Sequence, residues 1–321
     1  MKKLLFAIIA FGSVVSFGQV TEGEATLVKE NTDTLDGWKK GGYFSLNGTQ
    51  VSLTNWVAGG ENSVSVNGLF GLYANLVKGS NTWENNFTMG YGLMKQSSEL
   101  FGSSGGKWIK TDDRIDITSK YGRRASKSWY YAALMNFRTQ STAGYDYAVD
   151  DVTEISGFMA PGYFLTAIGM DYKPNDNFSL FIAPITSKLA DAGSFGVDKA
   201  FTDENGTFVE GKRFRSEFGG YLRMTYKVKL APNISFQTKA DVFSNYLNNP
   251  ERLDVSWENL IEIKLWKFLS ATISTHLIYD DDINISIYND VDNPTVATGS
   301  GPRVQFKEVF GLGLSWKFDQ E

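Results

Sequence analysis

Along much of the chain, apolar and polar residues alternate one for one, the period at which successive side chains of a β-strand point to opposite faces. The stretch RFRSEFGGYLRMTYKVK shows it most plainly. Phe214, Phe218, Leu222, Met224 and Tyr226 share one face, and Arg213, Arg215, Glu217, Arg223, Lys227 and Lys229 share the other. In LDVSWENLIEIKL, Leu253, Val255, Trp257, Ile261 and Ile263 oppose Asp254, Ser256, Glu258, Glu262 and Lys264. In RVQFKEVFGLGLSWKF, Val304, Phe306, Phe310, Leu312, Leu314 and Trp316 oppose Arg303, Gln305, Lys307 and Lys317. Strands of soluble sheets are usually shorter and turn their polar face to bulk water. Long strands with one apolar and one heavily charged face suit a closed barrel in a bilayer, apolar outward and polar inward.

The same pattern predicts about twelve strands, with ten to fourteen admissible, over 43–53, 63–77, 83–94, 114–122, 129–139, 163–172, 178–186, 213–228, 234–245, 253–265, 269–279 and 303–318. The connections are an independent test. KGSNT, RRASKS, KPNDN, KLAPN and WKF are short, and most of those between them are long and polar, NYLNNPER being the exception. Alternating short turns and long loops, with both termini at the turn end, is the pattern of an up-and-down antiparallel transmembrane β-barrel in an outer membrane, termini in the periplasm. Pro161, Pro174, Pro232, Pro250, Pro294 and Pro302 fall in turns or loops; Pro184 alone falls in a strand, where it marks an end or a bulge.

Composition fits this class: 32 Gly, 14% aromatic residues and a mean hydropathy of −0.23. The N-terminus, MKKLLFAIIAFGSVVSFGQ, has the basic start, short apolar run and small-x-small ending of a signal peptide over residues 1–18. Residues 19–40 then read as a polar, flexible periplasmic segment and 41–321 as the barrel. There is no cysteine, so no disulfide holds the fold. Without Lys2 and Lys3 the 31 basic residues fall to 29 against 36 acidic, which disfavours nucleic acid as a partner. The partners expected are outer-membrane lipid and, during insertion, a barrel-assembly machinery, whose C-terminal signal the stretch Gly311–Phe318 resembles.

The opening GWKKGGYFSLNGTQVSLTNWVAGGENSVSVNG, followed by WENNFTMGYGLMK, resembles a family of Bacteroidota outer-membrane proteins filed as a domain of unknown function (DUF3078). The residues that carry the likeness are Gln50, Asn55, Trp56, Gly59, Gly60, Asn62 and Ser63, with Trp83 and Gly90-Tyr91-Gly92 further on. The resemblance implies a barrel and a compartment; it brings no residues of known role.

Candidate chemistry is sparse. By alternation, the charges that line the lumen are Glu84, Asp116, Lys120, Arg138, Arg213, Arg215, Glu217, Arg223, Lys227, Lys239, Asp241, Glu258, Glu262, Lys264, Lys307 and Lys317. Both signs are present, so they either cross-link into a plug or border a small pore. His276, the sole histidine, lies two residues from Ser274 on the lumen face, a pairing that resembles that of outer-membrane phospholipases but lacks an identifiable third residue. Acidic loop clusters at Asp146, Asp150 and Asp151, at Asp280, Asp281 and Asp282, and at Asp290 and Asp292 could hold Ca²⁺, although their spacing fits no calcium loop. No cofactor or zinc spacing is found. The expectation is a narrow passive pore for small solutes. A closed structural or partner-binding barrel is the alternative, and a hydrolase using Ser274 and His276 comes third.

Overall fold

The computed structural model describes residues 36–51, 63–96, 108–145, 154–175, 177–191, 201–202, 208–209, 214–281, 284–287 and 299–320. The expected signal peptide, the segment up to residue 35 and the motif residues Asn55, Trp56, Gly59, Gly60 and Asn62 lie outside them. So do Arg213 and the acidic loop positions other than Asp280 and Asp281.

Twelve strands form one closed barrel: β1 (Gly37–Val51), β2 (Ser63–Lys78), β3 (Asn81–Gln96), β4 (Trp108–Arg124), β5 (Trp129–Thr139), β6 (Gly162–Asn175), β7 (Phe178–Asp191), β8 (Phe214–Ala231), β9 (Ile234–Asn245), β10 (Leu253–Lys264), β11 (Leu269–Tyr279) and β12 (Gln305–Gln320). Each pairs antiparallel with its sequence neighbours, and β12 closes on β1 from Lys40↔Gln320 to Asn47↔Gly313. Closure leaves no unpaired edge, which a β-structure in hydrocarbon requires. The barrel begins at Gly37, ahead of the expected start at 43, because Gly37–Gly42 continues the ladder opposite Leu72–Val77. Short two-stranded ladders decorate the loop end, among them Gly144–Tyr145 with Glu154–Ser156.

The alternation seen in the sequence becomes inside and outside. Phe44, Leu72, Ile117, Met135, Ile168, Phe218, Trp257, Phe310 and Leu314 are exposed on the outer wall, Tyr131 at 62% and Trp316 at 57%. A skin of large apolar side chains all round a closed barrel is a lipid-facing surface. Inside, Leu134, Phe181, Tyr221 and Phe243, interleaved with Ala132, Ala167 and Ala183 and packed by Leu165, fill the lumen along β5–β9.

Pro184 lies in a bulge, one of the two roles its position allowed. On one side of β7, Ile168↔Ile185 is followed by Met170↔Ile182; on the other, Gly219↔Thr186 is followed by Tyr221↔Ala183. Proline has no N–H for the ladder, and the bulge removes the demand for one. The extra residue reverses the alternation. Ser179, Phe181 and Ala183 are buried before the bulge, Thr186 and Ala190 beyond it, and the strand runs on to Asp191 instead of stopping near 186. Gly169 makes this possible: a Cβ there would lie 1.9 Å from the carbonyl oxygen of Ile182.

Candidate functional site: a charged lumen with a loop-end vestibule

Toward the turn end, three strands send charges into one buried cluster, and a fourth adds a hydroxyl. Glu84 on β3 receives Lys173 from β6 and Lys120 from β4, the latter at 3.1 Å. Lys120 and Lys173 also reach Asp171 of β6 at 2.8 and 3.3 Å, and Ser179 of β7 donates to the same carboxylate at 2.9 Å. Glu84 is 6% exposed and Asp171 2%. Glu84 and Lys173 belong to strands three apart in the wall, so their contact is a chord across the lumen. Two carboxylates and two ammonium groups balance, which is what lets them leave water together.

Further along, Asp116 on β4 accepts from Arg138 Nε at 2.9 Å and from Asn136 Nδ2 at 2.7 Å, with Arg114 at 3.5 Å. Opposite, Arg223 of β8 grips Asp241 of β9 through two nitrogens at 2.7 and 3.0 Å, the bidentate fit of guanidinium to carboxylate. Lys239 bridges Asp241 and Glu258 at 3.9 and 3.7 Å.

At the loop end a second chord spans the barrel. Lys188 on β7 lies 2.9 Å from Asp254 on β10, 3.1 Å from Glu217 on β8 and 4.0 Å from Asp280 just past β11. Its ammonium also sits 5.1 Å from the Phe243 ring centre, and Arg215 holds Glu217 at 2.7 Å. Outside the wall, Asp281 bonds Arg252 of the neighbouring loop at 2.6 Å, which raises that guanidinium above its ordinary pKa.

Two cavities, of about 280 and 320 Å³, lie in the loop-end half and share Arg138, Tyr163, His276 and Ile278. Together they form a vestibule whose walls mix aromatic side chains (Tyr163, Tyr221 and Phe243) with the charges Arg138, Lys188, Arg223, Asp241, Asp254 and Asp280. It is small enough for a modest solute and borders the Lys188 chord. At the turn end, a cavity of about 190 Å³ is lined by Lys227, Lys229, Glu262 and Lys264.

His276 and Ser274 are both buried on the lumen face. A hydroxyl seated on the imidazole is Ser256 Oγ, 2.8 Å from Nε2, and Glu258 Oε1 approaches the same nitrogen at 3.9 Å. In a serine–histidine–acid relay the acid stands on the other ring nitrogen, where it orients the base toward the nucleophile. This trio therefore has the residue types of such a relay without its order. Among the described residues no group of His, Cys, Asp and Glu has the spacing of a metal site.

Of the sequence-derived lumen positions, Glu84 and Lys120 meet in the turn-end cluster, Asp116 pairs with Arg138, Arg215 with Glu217, and Arg223 with Asp241, Lys239 and Glu258 in a chain. Glu262 is buried, with Ser235 donating to it at 3.5 Å; Lys227 and Lys264 stand at the turn-end rim. In the backbone register, Lys307 pairs with His276 between β11 and β12, and Lys317 with Tyr43 between β12 and β1. In the family-like motif, Gln50 is opposite Val64, and Ser63 opens β2 opposite Val51. The lumen positions taken from the sequence do not include Asp171, Lys173, Lys188 or Asp254, the residues that complete both chords, although alternation does place Asp254 on the polar face of its strand. For Lys173 and Lys188 the signals were Pro174 and Pro184, since each reads as a strand end while the strand continues through it.

Fold and lumen together define a closed antiparallel transmembrane β-barrel with a charged interior. Residues 48–145, from late β1 through β5, match the family described as protein of unknown function (DUF3078), in agreement with the likeness carried by Gln50 to Ser63. Among curated proteins none matches by sequence. Solved structures of similar shape include an outer membrane channel from Pseudomonas putida F1, at 13% identity and a TM-score of 0.40, covering 91% of this chain and 98% of that one. The Pseudomonas putida toluene transporter TodX aligns at 9% identity and a TM-score of 0.35, over 95% of this chain and 94% of its own. The CymD monoaromatic hydrocarbon channel aligns at 8% identity and 0.35, over 97% and 95%.

Proposed function

We propose that this chain is an outer-membrane channel for small solutes, closed at rest by ion pairs strung across its lumen. The observation that carries the reading is the vestibule beside the Lys188 chord. The chamber is of solute size, and its walls combine aromatic surface with a few converging charges, the make-up of a small-molecule site. The chords supply the gate. Each is a small set of side chains whose release opens a path without disturbing the hydrogen-bonded wall, and the turn-end cluster forms the second barrier. Leaving one member of such a pair unpartnered costs several kcal/mol, so a passing polar solute has to take over each contact as it releases it.

The second reading, a closed barrel that displays its loops to a partner, draws on the apolar group around Phe181, Tyr221 and Phe243 that fills one wall of the lumen. Conductance across a planar bilayer separates the two. Wild-type protein is expected to give small, infrequent openings, and Lys188→Ala larger and more frequent ones. Folded protein that stays silent in both forms would remove the channel reading and leave the closed barrel.

A further inference from the structure

The two rims of the barrel carry opposite charge. In the turns and their flanks (78–81, 123–128, 173–177, 229–233 and 264–268) there are eight basic residues against one acid, Asp176. Seven of the eight are exposed; the other, Lys173, is turned into the lumen cluster. The loop-end connections (52–62, 97–107, 140–161, 192–213, 246–252 and 280–304) carry sixteen acids against six basic residues. Chance placement on a chain of slight negative charge does not sort signs this way.

Aromatic side chains collect at the same end as the cations. Trp38 and Trp83 meet at 5.9 Å on the outer wall, and Phe268 stacks on Trp316 at 5.0 Å and 5° between planes. Their polar tips are satisfied laterally, Trp83 Nε1 donating to Ser119 at 2.9 Å and the Tyr121 hydroxyl to Asn81 at 2.9 Å. Cations sit on these rings: Lys40 lies 5.6 Å from the Trp38 centre and Lys267 5.2 Å from Phe268. Trp266, in the last turn, is 78% exposed. Tryptophan rings at this height mark the boundary between hydrocarbon and headgroups, which puts the exposed ammonium and guanidinium groups of Arg123, Arg124, Lys127 and Lys267 at the level of lipid phosphates.

We infer that the turn-end collar is a binding surface for anionic phospholipid headgroups, and that it seats the barrel with its turns against an anionic leaflet. Basic groups held at an anionic surface are attracted within about one Debye length, and the attraction adds over each charge. The other candidate occupant is the acidic stretch over residues 19–36, which has five acids and one lysine. Lipid fits better, because the seven exposed cations are spread over four of the five turns, and exposed Trp83, Tyr121, Trp266 and Phe268 flank or lie in three of those. One short peptide covers neither the circumference nor the rings.

The test uses the full chain folded into vesicles of phosphatidylcholine, alone or with a third phosphatidylglycerol, and reads the urea unfolding midpoint by tryptophan fluorescence. Wild-type protein is expected to unfold at higher urea with phosphatidylglycerol, the folding equilibrium gaining at least about tenfold at low salt, and to lose the gain at high salt. The variant R123Q/R124Q/K127Q/K267Q, whose exposed positions leave the wall intact, is expected to show little gain at any salt. Soluble glycerol phosphate at millimolar concentration is expected to leave the wild-type midpoint unchanged; an equal gain from it would assign the site to free phosphate and overturn a membrane surface. A wild-type midpoint indifferent to phosphatidylglycerol, or a gain that survives in the quadruple variant, would also overturn the proposal. A gain that appears only when residues 19–35 are deleted would make the acidic stretch the native occupant.

Discussion

Replacing Lys173 by Met probes the turn-end cluster where its charge balance is tightest. The Lys173 side chain is 4% exposed and touches Glu84 and Asp171, so solvent can take over neither contact. Its loss leaves Glu84 and Asp171 sharing Lys120 alone, at 3.1 and 2.8 Å, and turns a neutral cluster into one with a net negative charge in a dry place. Removing one member of a buried pair typically costs 3–5 kcal/mol; because Lys120 still holds both carboxylates, the lower end applies, about 3 kcal/mol. That corresponds to a folding equilibrium weakened about a hundredfold, at 1.36 kcal/mol per decade. Glu84→Gln on its own leaves one carboxylate for two ammonium groups and is expected to cost about as much. Made together, the two changes restore neutrality around the Lys120–Asp171 pair, and the double variant should lose only about 1 kcal/mol. The assay is urea unfolding of the barrel in vesicles, followed by tryptophan fluorescence and by the heat-dependent shift in gel mobility. Costs of the single changes that simply add in the double variant would refute charge balance as what holds the cluster; a Lys173→Met cost within error of zero would refute its burial.

Other outcomes follow from particular contacts. Gly169→Ala places a methyl 1.9 Å from the Ile182 carbonyl oxygen, so its refolding yield should fall and stability should drop by about 3 kcal/mol, read in the same urea assay. Asp113 accepts from the backbone N–H groups of Ser141 and Thr142, both at 2.8 Å, and from Lys110 at 2.9 Å. Asp113→Ala should therefore free the start of the following loop and raise chymotrypsin cleavage near Tyr145 about tenfold, with little change in the global unfolding midpoint. A serine-directed fluorophosphonate should leave the protein unlabelled, since Glu258 and Ser256 crowd the same nitrogen of His276. Labelling that disappears in Ser256→Ala or Ser274→Ala would restore a hydrolase.

Period-two alternation made the wall legible because the bilayer imposes it: every outward residue meets hydrocarbon, every inward one meets a polar lumen, and the strand fixes which is which. Glu217, Arg223, Asp241 and Glu258 were readable on those grounds. The chords were not. Whether Glu84 meets Lys173, or Lys188 meets Asp254, depends on how the wall curves round to bring β3 to β6 and β7 to β10, and periodicity along one strand carries no such information. Lys188 was hidden twice, first because Pro184 looks like a stop, and then because the bulge there reverses which side chains face inward. The diagonal contact of Ser256 with His276 is likewise set by register between β10 and β11, which puts Glu258 directly across from His276 and Ser256 across from Ile278.

Locking and then releasing the Lys188 chord tests whether the cross-lumen contacts are the gate. The chain has no cysteine, so Lys188→Cys with Asp254→Cys supplies a clean pair on strands three apart. Bridged by a short bis-methanethiosulfonate linker and placed in a planar bilayer, the variant is expected to be silent. Reductant added to the same membrane, cleaving the linker, should then produce conductance above that of the wild type, since both members of the native chord are gone. Equal conductance before and after cleavage, with bridging confirmed by mass, would contradict a gate at this position.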